Sequence, residues 1–321
     1  MTIPNVSTQP AAVAAALSQQ KIHRRMHLTF IRFARNRFAA FGLFVIILFF
    51  VLAYGSPLFY KWNYENLDFT AFQSPPSMSH WFGTDQSGSD LFAMTMRGMQ
   101  KSLVIGISTG VICTVVAAAI GASAGYFGGW ADRSLMWLVD LLLVMPSFLI
   151  IAVLSPLFQG AHWLVLGVLL AAFSWMITGR VVRSITLTLK HREFVKAARY
   201  MGVPAFLIIF RHIIPSMASM LIIDGTIQVG AAIIGESSLS FFGFGVEPPD
   251  VSLGTVIASG TMAASSFPWL FYFPAGCLVL ICLSISFVGD GLRDAFDPGS
   301  RHARGRFSQK MNETSVEGPA L

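Results

Sequence analysis

Charge is scarce in this chain. Of its 321 residues, 12% are Asp, Glu, Lys or Arg, against about 25% in an average soluble domain. With 54% hydrophobic residues and 28 Phe, that shortage excludes a soluble globular domain, a disordered chain and a DNA-binding domain. Cysteine is equally sparse. Cys113, Cys277 and Cys282 all lie inside apolar runs without CxxC spacing, which reads as small packing residues rather than disulfides or metal ligands. A GxxxxGK[ST] phosphate loop is missing, so the chain has no visible means of binding ATP. HExxH is missing too, and Gly243-Phe-Gly245 lacks the third glycine and the strand context of a dinucleotide loop. The seven His are scattered. Nothing assembles a nucleophile, a base and an orienting group, so no enzyme acting alone is expected.

What the chain does have is long apolar runs. Six spans stand out, at roughly 38–60, 102–126, 135–157, 163–182, 214–238 and 268–290. Each approaches or exceeds the ~20 residues that cross a ~30 Å hydrocarbon core as a helix. A β-barrel would alternate in ~10-residue segments, whereas Phe41–Phe50 is apolar throughout apart from Gly42. An all-α polytopic membrane protein with six transmembrane helices follows, because backbone in lipid must satisfy its own hydrogen bonds.

The 22 Lys and Arg are distributed unevenly around these spans. Six precede the first span (Lys21, Arg24, Arg25, Arg32, Arg35 and Arg37), Arg133 lies between the second and third, seven lie between Arg180 and Arg211, and five follow the sixth. Only Lys61, Arg97 and Lys101 fall on the other side. The positive-inside rule then places both termini and the basic loop in the cytoplasm, as an even span count requires. The +6 net charge records orientation, and nucleic acid is not expected as a partner. Residues 1–20 lack the pattern of a signal peptide and read as a polar tail, with the first span as an uncleaved signal-anchor. The segment after Pro298 reads as a second polar tail.

Within the spans, Asp140, Asp224 and Glu236 are the acids to explain, since an ionised acid in hydrocarbon costs ~2.5–3.5 kcal/mol or more. Depth favours Asp140 and Asp224 as pathway groups or interhelical hydrogen-bonding groups. Glu236 and Asp290, nearer the span ends, read as helix caps or groups meeting interfacial water. No intramembrane cation is expected to partner these acids. Pro146, Pro156 and Pro274 are expected to interrupt the third and sixth spans. Gly106, Gly110, Thr114, Ala118 and Ala122, with Ala117, Gly121 and Gly125 beside them, give the second span a small-residue face for close helix packing.

The most informative segment is Glu193-Phe-Val-Lys-Ala-Ala-Arg-Tyr-Met-Gly202-Val-Pro-Ala-Phe206, which runs on to Pro215. Residues 192–201 suit a helix with Phe194, Ala197, Ala198 and Met201 on its apolar side. Gly202-Val203-Pro204 stops it, because Gly suits a left-handed C-cap and Pro cannot continue the helix. A second helix restarts over 205–213, with Phe206, Ile209, Phe210 and Ile213 on one face. The product is a rigid helix–turn–helix knob on the basic side. Its simpler reading is an amphipathic element lying on lipid.

Ala197-Ala198-x3-Gly202 followed by Ile214-Pro215 resembles the EAA loop of binding-protein-dependent ABC importer permeases, with Lys196 at the Glu position and His212 at the usual Ile position. Four other stretches resemble the peptide/nickel branch of that family: Arg35–Gly42; His80-Trp-Phe-Gly-Thr-Asp-Gln-Ser-Gly-Ser-Asp90, where Ser89 replaces the usual Arg; Glu236–Pro249; and Gly289–Pro298. The resemblance spans about residues 24–298, in order. The resemblance implies the type I ABC importer permease fold and a non-catalytic C-type subunit of a dipeptide or oligopeptide importer in the plasma (inner) membrane. It also implies a second homologous permease, two ABC ATPase modules that bind ATP and Mg, an extracytoplasmic binding protein and a peptide substrate. Glu193, Lys196, Ala197, Ala198, Gly202, Val203, Pro204, Phe206 and Pro215 would form the ATPase-coupling element. The chain divides accordingly into a cytoplasmic entry segment (1–37), a first transmembrane helix (38–60), an external segment (61–101), a five-helix core (102–290) with a coupling loop at 183–213, and a C-terminal tail (291–321). The segments 61–101 and 239–267 would face the binding protein, with Trp62, Trp81 and Phe82 anchoring a short interfacial helix. A nickel-chelate permease is the variant within the family; a proton-coupled secondary transporter and a receptor-like scaffold are the readings from other classes.

Overall fold

The computed structural model describes residues 31–158, 160 and 162–296. The expected tails over 1–20 and after Pro298, and the basic residues Lys21, Arg24 and Arg25, lie outside the described residues. Most of the described residues are helical. They form α1 (Arg37–Phe59), α2 (Leu91–Phe127), α3 (Gly129–Val144), α4 (Ser147–Leu154, with a 3-10 turn Ser155–Phe158), α5 (Leu164–Ser174) and α6 (Met176–Leu189). These are followed by α7 (Glu193–Tyr200), the helical run α8 (Ala205–Ser216), α9 (Ala218–Phe241), α10 (Leu253–Thr261) and α11 (Trp269–Phe296). Among the described residues, α1, α2, α9 and α11 are long and apolar enough to cross a membrane, and two bent pairs raise the count to six if each is one span. Large side chains such as Phe38, Phe44, Ile47 and Val51 face outward from α1. An exposed apolar surface of this kind suits lipid rather than water.

The 37-residue α2 is the spine, about 55 Å long at 1.5 Å per residue. It starts eleven residues before the expected span because Asp90 caps it, accepting the Ala93 amide at 2.8 Å. The expectation stopped at the first charges, but those charges are answered within the fold. Lys101 is nearly buried, pairs with Asp250 at 2.7 Å and lies 4.3 Å from the Trp163 ring centroid. Residues 91–101 are therefore helical and continuous with the second span. Around the first half of α2, Phe92, Met96, Met99 and Leu103 pack with Val45, Phe49 and Ala53 of α1 and with Cys277, Ile281 and Ile285 of α11.

The small-residue face of α2 is spent inside the chain. A Cβ at Gly121 would overlap the Gly179 carbonyl oxygen of α6 and lie 2.9 Å from the Val182 Cβ, while one at Gly110 would lie 3.1 Å from the Gly225 carbonyl oxygen of α9. Cys113 is buried and directs its thiol to the Ala171 carbonyl at 3.6 Å, as a packing residue.

The prolines behave unequally. Pro146 stands at an 80° break between α3 and α4, and Pro156 falls in the 3-10 turn. Pro274 lies within the continuous helix α11, so the sixth span is not interrupted. The fourth span instead bends by 45° at Trp175, between α5 and α6, where neither Gly nor Pro stands. Helix α6 then continues to Leu189, so residues 183–189 are helical. Residues 60–90 hold turns and two isolated bridges, Leu67 with Ser89 and Thr84 with Asp90, with no helix anchored by Trp62 or Trp81.

Candidate coupling surface

The segment 190–216 sits at the C-terminal end of α2. Lys190 Nζ donates to the Gly125 carbonyl at 2.9 Å, tying the end of α6 to the end of α2. Helix α7 follows and stops as its residues dictate. Gly202 takes φ +75, the Gly202 amide donates to the Arg199 carbonyl and the Val203 amide to the Ala198 carbonyl, each at 3.1 Å. This is a Schellman turn, with orphan helix carbonyls satisfied by the residues just past the cap. Val203 then packs in the same apolar cluster as Ala198, the hydrophobic contact that usually accompanies such a turn. Pro204 precedes α8, whose residues Ile209–Ile213 form a π turn.

The buried face matches the expected one only in part: Ala198, Ile209 and Ile213 are buried as expected, whereas the other expected residues face outward. Val195 and Ala198 of α7, with Ile208, Ile209 and Ile213 of α8, pack against Ala118 and Ala122 of α2, Val182 of α6 and Leu221 of α9. Phe194, Ala197, Met201, Phe206 and Phe210 are exposed. The sequence pattern fits two stripes on each short helix, and packing chose the one rich in β-branched residues. The aromatic stripe is left outward, with Phe206 and Phe210 rings 4.4 Å apart. Glu193, Lys196, Gly202, Pro204 and Pro215 are exposed as well.

The three acids of the spans are placed differently from one another. Asp140 pairs with Arg180 of α6, and one turn along α6 Arg183 grips Asp132 with both Nε and Nη2, the latter at 2.6 Å. An interhelical cation therefore does partner Asp140, contrary to expectation: Arg180 was assigned to the span end, but α6 runs alongside α3. Asp224 accepts the Thr178 hydroxyl at 2.6 Å, and Gln228 donates to Thr178 Oγ1 at 3.2 Å and the Ser174 carbonyl at 3.0 Å. These bonds knit α9 to the α5–α6 bend. Glu236 is neither a cap nor at an aqueous boundary. It is fully buried and accepts the hydroxyls of Ser102 and Ser240 at 2.7 Å each. Burying a carboxyl is costly unless it is hydrogen-bonded, and here Ser102 of α2 and Ser240, one turn further along α9 itself, supply the donors.

At the opposite end of α2, His80 lies between two carboxylates. Its Nδ1 is 2.8 Å from Asp90 and its Nε2 3.3 Å from Asp68, while Trp62 stacks on the ring at 4.7 Å. Tyr60 donates its hydroxyl to Asp90 at 2.8 Å. Burial, followed by that bond to a carboxylate, pushes the Tyr60 phenol well above its ordinary value. Asp68 is held below the carboxylate range by the Thr70 hydroxyl and amide, aided by His80. The His80–Asp90 motif thus folds the 60–90 segment onto the start of the spine.

Comparison with known proteins bears on both ends. Residues 117–302 match the family described as binding-protein-dependent transport system inner membrane component. The match covers more than half of the chain and includes the whole 190–216 segment. The chain belongs to this family. Residues 25–76 of the permease match the N-terminal TM domain of oligopeptide transport permease C. Over 274 residues, 85% of this chain and 94% of the relative, it is 54% identical to the oligopeptide transport system permease protein OppC of Mycobacterium tuberculosis H37Rv. The Bacillus subtilis protein of the same name is 32% identical over 302 residues, 93% of this chain and 99% of the relative. A putative peptide permease protein of Brucella suis is 42% identical over 271 residues, 83% of this chain and 89% of the relative. The chain is thus a multi-pass inner-membrane permease of an ABC importer.

Sequence reasoning missed several contacts that hold this permease together. Asp132 with Arg183 and Lys101 with Asp250 were invisible because partners 51 and 149 residues apart meet only through helix packing. Ser102, which joins Glu236 and also accepts the Leu253 amide at 3.3 Å, carried no signal at all.

Proposed function

We propose that this permease carries dipeptides or oligopeptides inward as one half of a pathway completed by a second, homologous permease. Two ATPase modules, binding ATP and Mg, dock from the cytoplasm on the 193–215 element, and an external binding protein delivers substrate to the end that holds residues 60–90 and α10. The observation that carries the substrate class is the likeness, over most of both chains, to permeases named for oligopeptide transport.

The division of roles within the element follows its geometry. Val203 and Ala198 seat the knob on the bundle, Gly202 and Pro204 keep the turn short, and Glu193, Lys196, Ala197 and Phe206 offer the contact surface, with Pro215 on the exposed side of the return to α9. A stiff knob transmits force to α2, α6 and α9 together because its buried face touches all three. Seven cations around this loop, and few at the other end, support its cytoplasmic placement.

The test is uptake of a labelled peptide into proteoliposomes. Uptake should need this chain, its sister permease, the ATPases with ATP, and the binding protein. Peptide uptake driven by this chain alone under a proton gradient would reject the proposal, and so would complete indifference to peptides by the assembled complex.

A further inference from the structure

Between the end of α2 and helix α7 lies an open cleft of about 870 Å³, lined among others by Tyr126, Lys190, His191, Lys196, Arg199 and Tyr200. Three positive charges converge here, and among the described residues no Asp or Glu lines the cleft. Lys190 is held in place by its bond to the Gly125 carbonyl. Lys196 and Arg199 lie three residues apart, on one face of α7. Both are exposed, and neither forms an ion pair among the described residues. Unbalanced like charge of this kind repels itself until an opposite charge is brought in.

We propose that this cleft is the seat for acidic side chains of the ATPase partner, so that the docked surface on that partner is negative where it meets α7. The proposal rests on the importer reading above and names the chemistry of the partner's contact. The surroundings favour a protein over an anionic lipid surface. Beside the cleft stand exposed Tyr200, Met201 and Phe206, and aromatic residues, Met and Arg are the types enriched at protein interfaces. Exposed Glu193 begins the same helix; it would be repelled by a uniformly anionic lipid layer but can be met by a cation on a protein patch of mixed charge.

The experiment measures binding of the cognate ATPase to the permease pair in nanodiscs, at low and high salt. Wild-type affinity should fall as salt rises. The double variant Lys196→Glu with Arg199→Glu should bind at least about tenfold more weakly at low salt and lose most of the salt dependence, because complementary charges steer and hold such contacts. Lys196→Arg should bind as wild type. Both side chains are exposed, so the charge-reversed pair should still elute as a monodisperse complex, which separates lost docking from lost folding. Discs of zwitterionic and of anionic lipid are run in parallel. Equal binding by wild type and the reversed variant overturns the inference while leaving the importer reading intact, and so does a loss seen only in anionic discs, which would assign the cleft to lipid phosphate. Failure of the wild-type pair to bind any ATPase overturns the importer reading and this inference together.

Discussion

Ser102 of α2 donates its hydroxyl to Glu236 of α9 at 2.7 Å, joining two helices across 134 residues of chain at a point with no exposure to solvent. Ser240 donates to the other carboxyl oxygen at 2.7 Å. Replacing Glu236 with Ala would strand these hydroxyls and leave a cavity. Each effect alone costs about 1–3 kcal/mol, so Glu236→Ala should lower the thermal midpoint of the purified permease markedly. Glu236→Gln keeps an acceptor and nearly the same volume and should lose much less. Thermal unfolding of the two variants in detergent is the check, and equal midpoints would remove the network from the stability of the bundle.

The turn at Gly202 makes a sharper functional prediction. Its φ of +75 is costly for residues with a Cβ, by roughly 1–2 kcal/mol, although a side chain there would meet no neighbour within 4 Å. The penalty is therefore conformational rather than steric. Gly202→Asp should insert and assemble normally, yet lower transport and substrate-stimulated ATP hydrolysis. Gly202→Asn should be milder, because Asn tolerates the left-handed region. Wild-type transport by Gly202→Asp in reconstituted vesicles would remove the turn from the coupling role.

These two sites show what a linear reading can reach. Gly202-Val203-Pro204 was legible because a helix stop is local chemistry: the residue that takes positive φ and the proline after it stand within three consecutive positions. The membrane class was legible for a similar reason, since apolar length is counted along the chain. Which face of α7 would be buried was legible only in part: of the expected stripe Phe194, Ala197, Ala198 and Met201, Ala198 turns inward, but Val195 joins it and the other three turn outward once Ala118, Ala122 and Val182 are placed opposite. The early start of α2 was hidden because Lys101 looks like a boundary until Asp250 and Trp163 are seen around it. Hydropathy reads a charge as a stop, whereas the fold reads it as half of a pair. Roles at the coupling surface were named through resemblance, and geometry adds which of those residues are free to touch a partner.

Tyr60 ties the segment 60–90 to the spine through Asp90, and its phenol is raised above the ordinary 10.0 by burial first and the bond to the carboxylate second. A raised acid of this kind stabilises the fold fully below the unfolded value. The contribution is lost as pH climbs from about 10 toward the folded value, because only the unfolded phenol has then ionised. Phenolate absorbance of the folded permease should therefore include a late component from Tyr60, which resists ionisation past pH 10.0. Tyr60→Phe should remove that late-titrating component and make the 60–90 segment easier to cleave by protease at neutral pH. If Tyr60→Phe instead removed amplitude from the ordinary range near pH 10.0 and left the late component intact, the Tyr60–Asp90 bond would not hold in solution.

Two glycines on long helices should respond oppositely to the same substitution. At Gly121 an added Cβ collides with the Gly179 carbonyl oxygen and crowds Val182. These are backbone and β-branched atoms with no freedom to rotate away, so α2 and α6 must separate. Overpacking of this sort costs about 1–3 kcal/mol, and Gly121→Ala should depress the thermal midpoint. It should also weaken transport, because α6 carries Arg180, Arg183 and Lys190 and leads directly into α7. At Gly276 on α11, an added Cβ meets nothing within 4 Å. Replacing a helix-interior glycine there removes chain entropy from the unfolded state, a gain of roughly 0.5–1 kcal/mol. Gly276→Ala should therefore hold or raise the midpoint. Parallel melts of the two variants decide the matter: if both move in the same direction, close approach of α2 to α6 is not what makes Gly121 necessary.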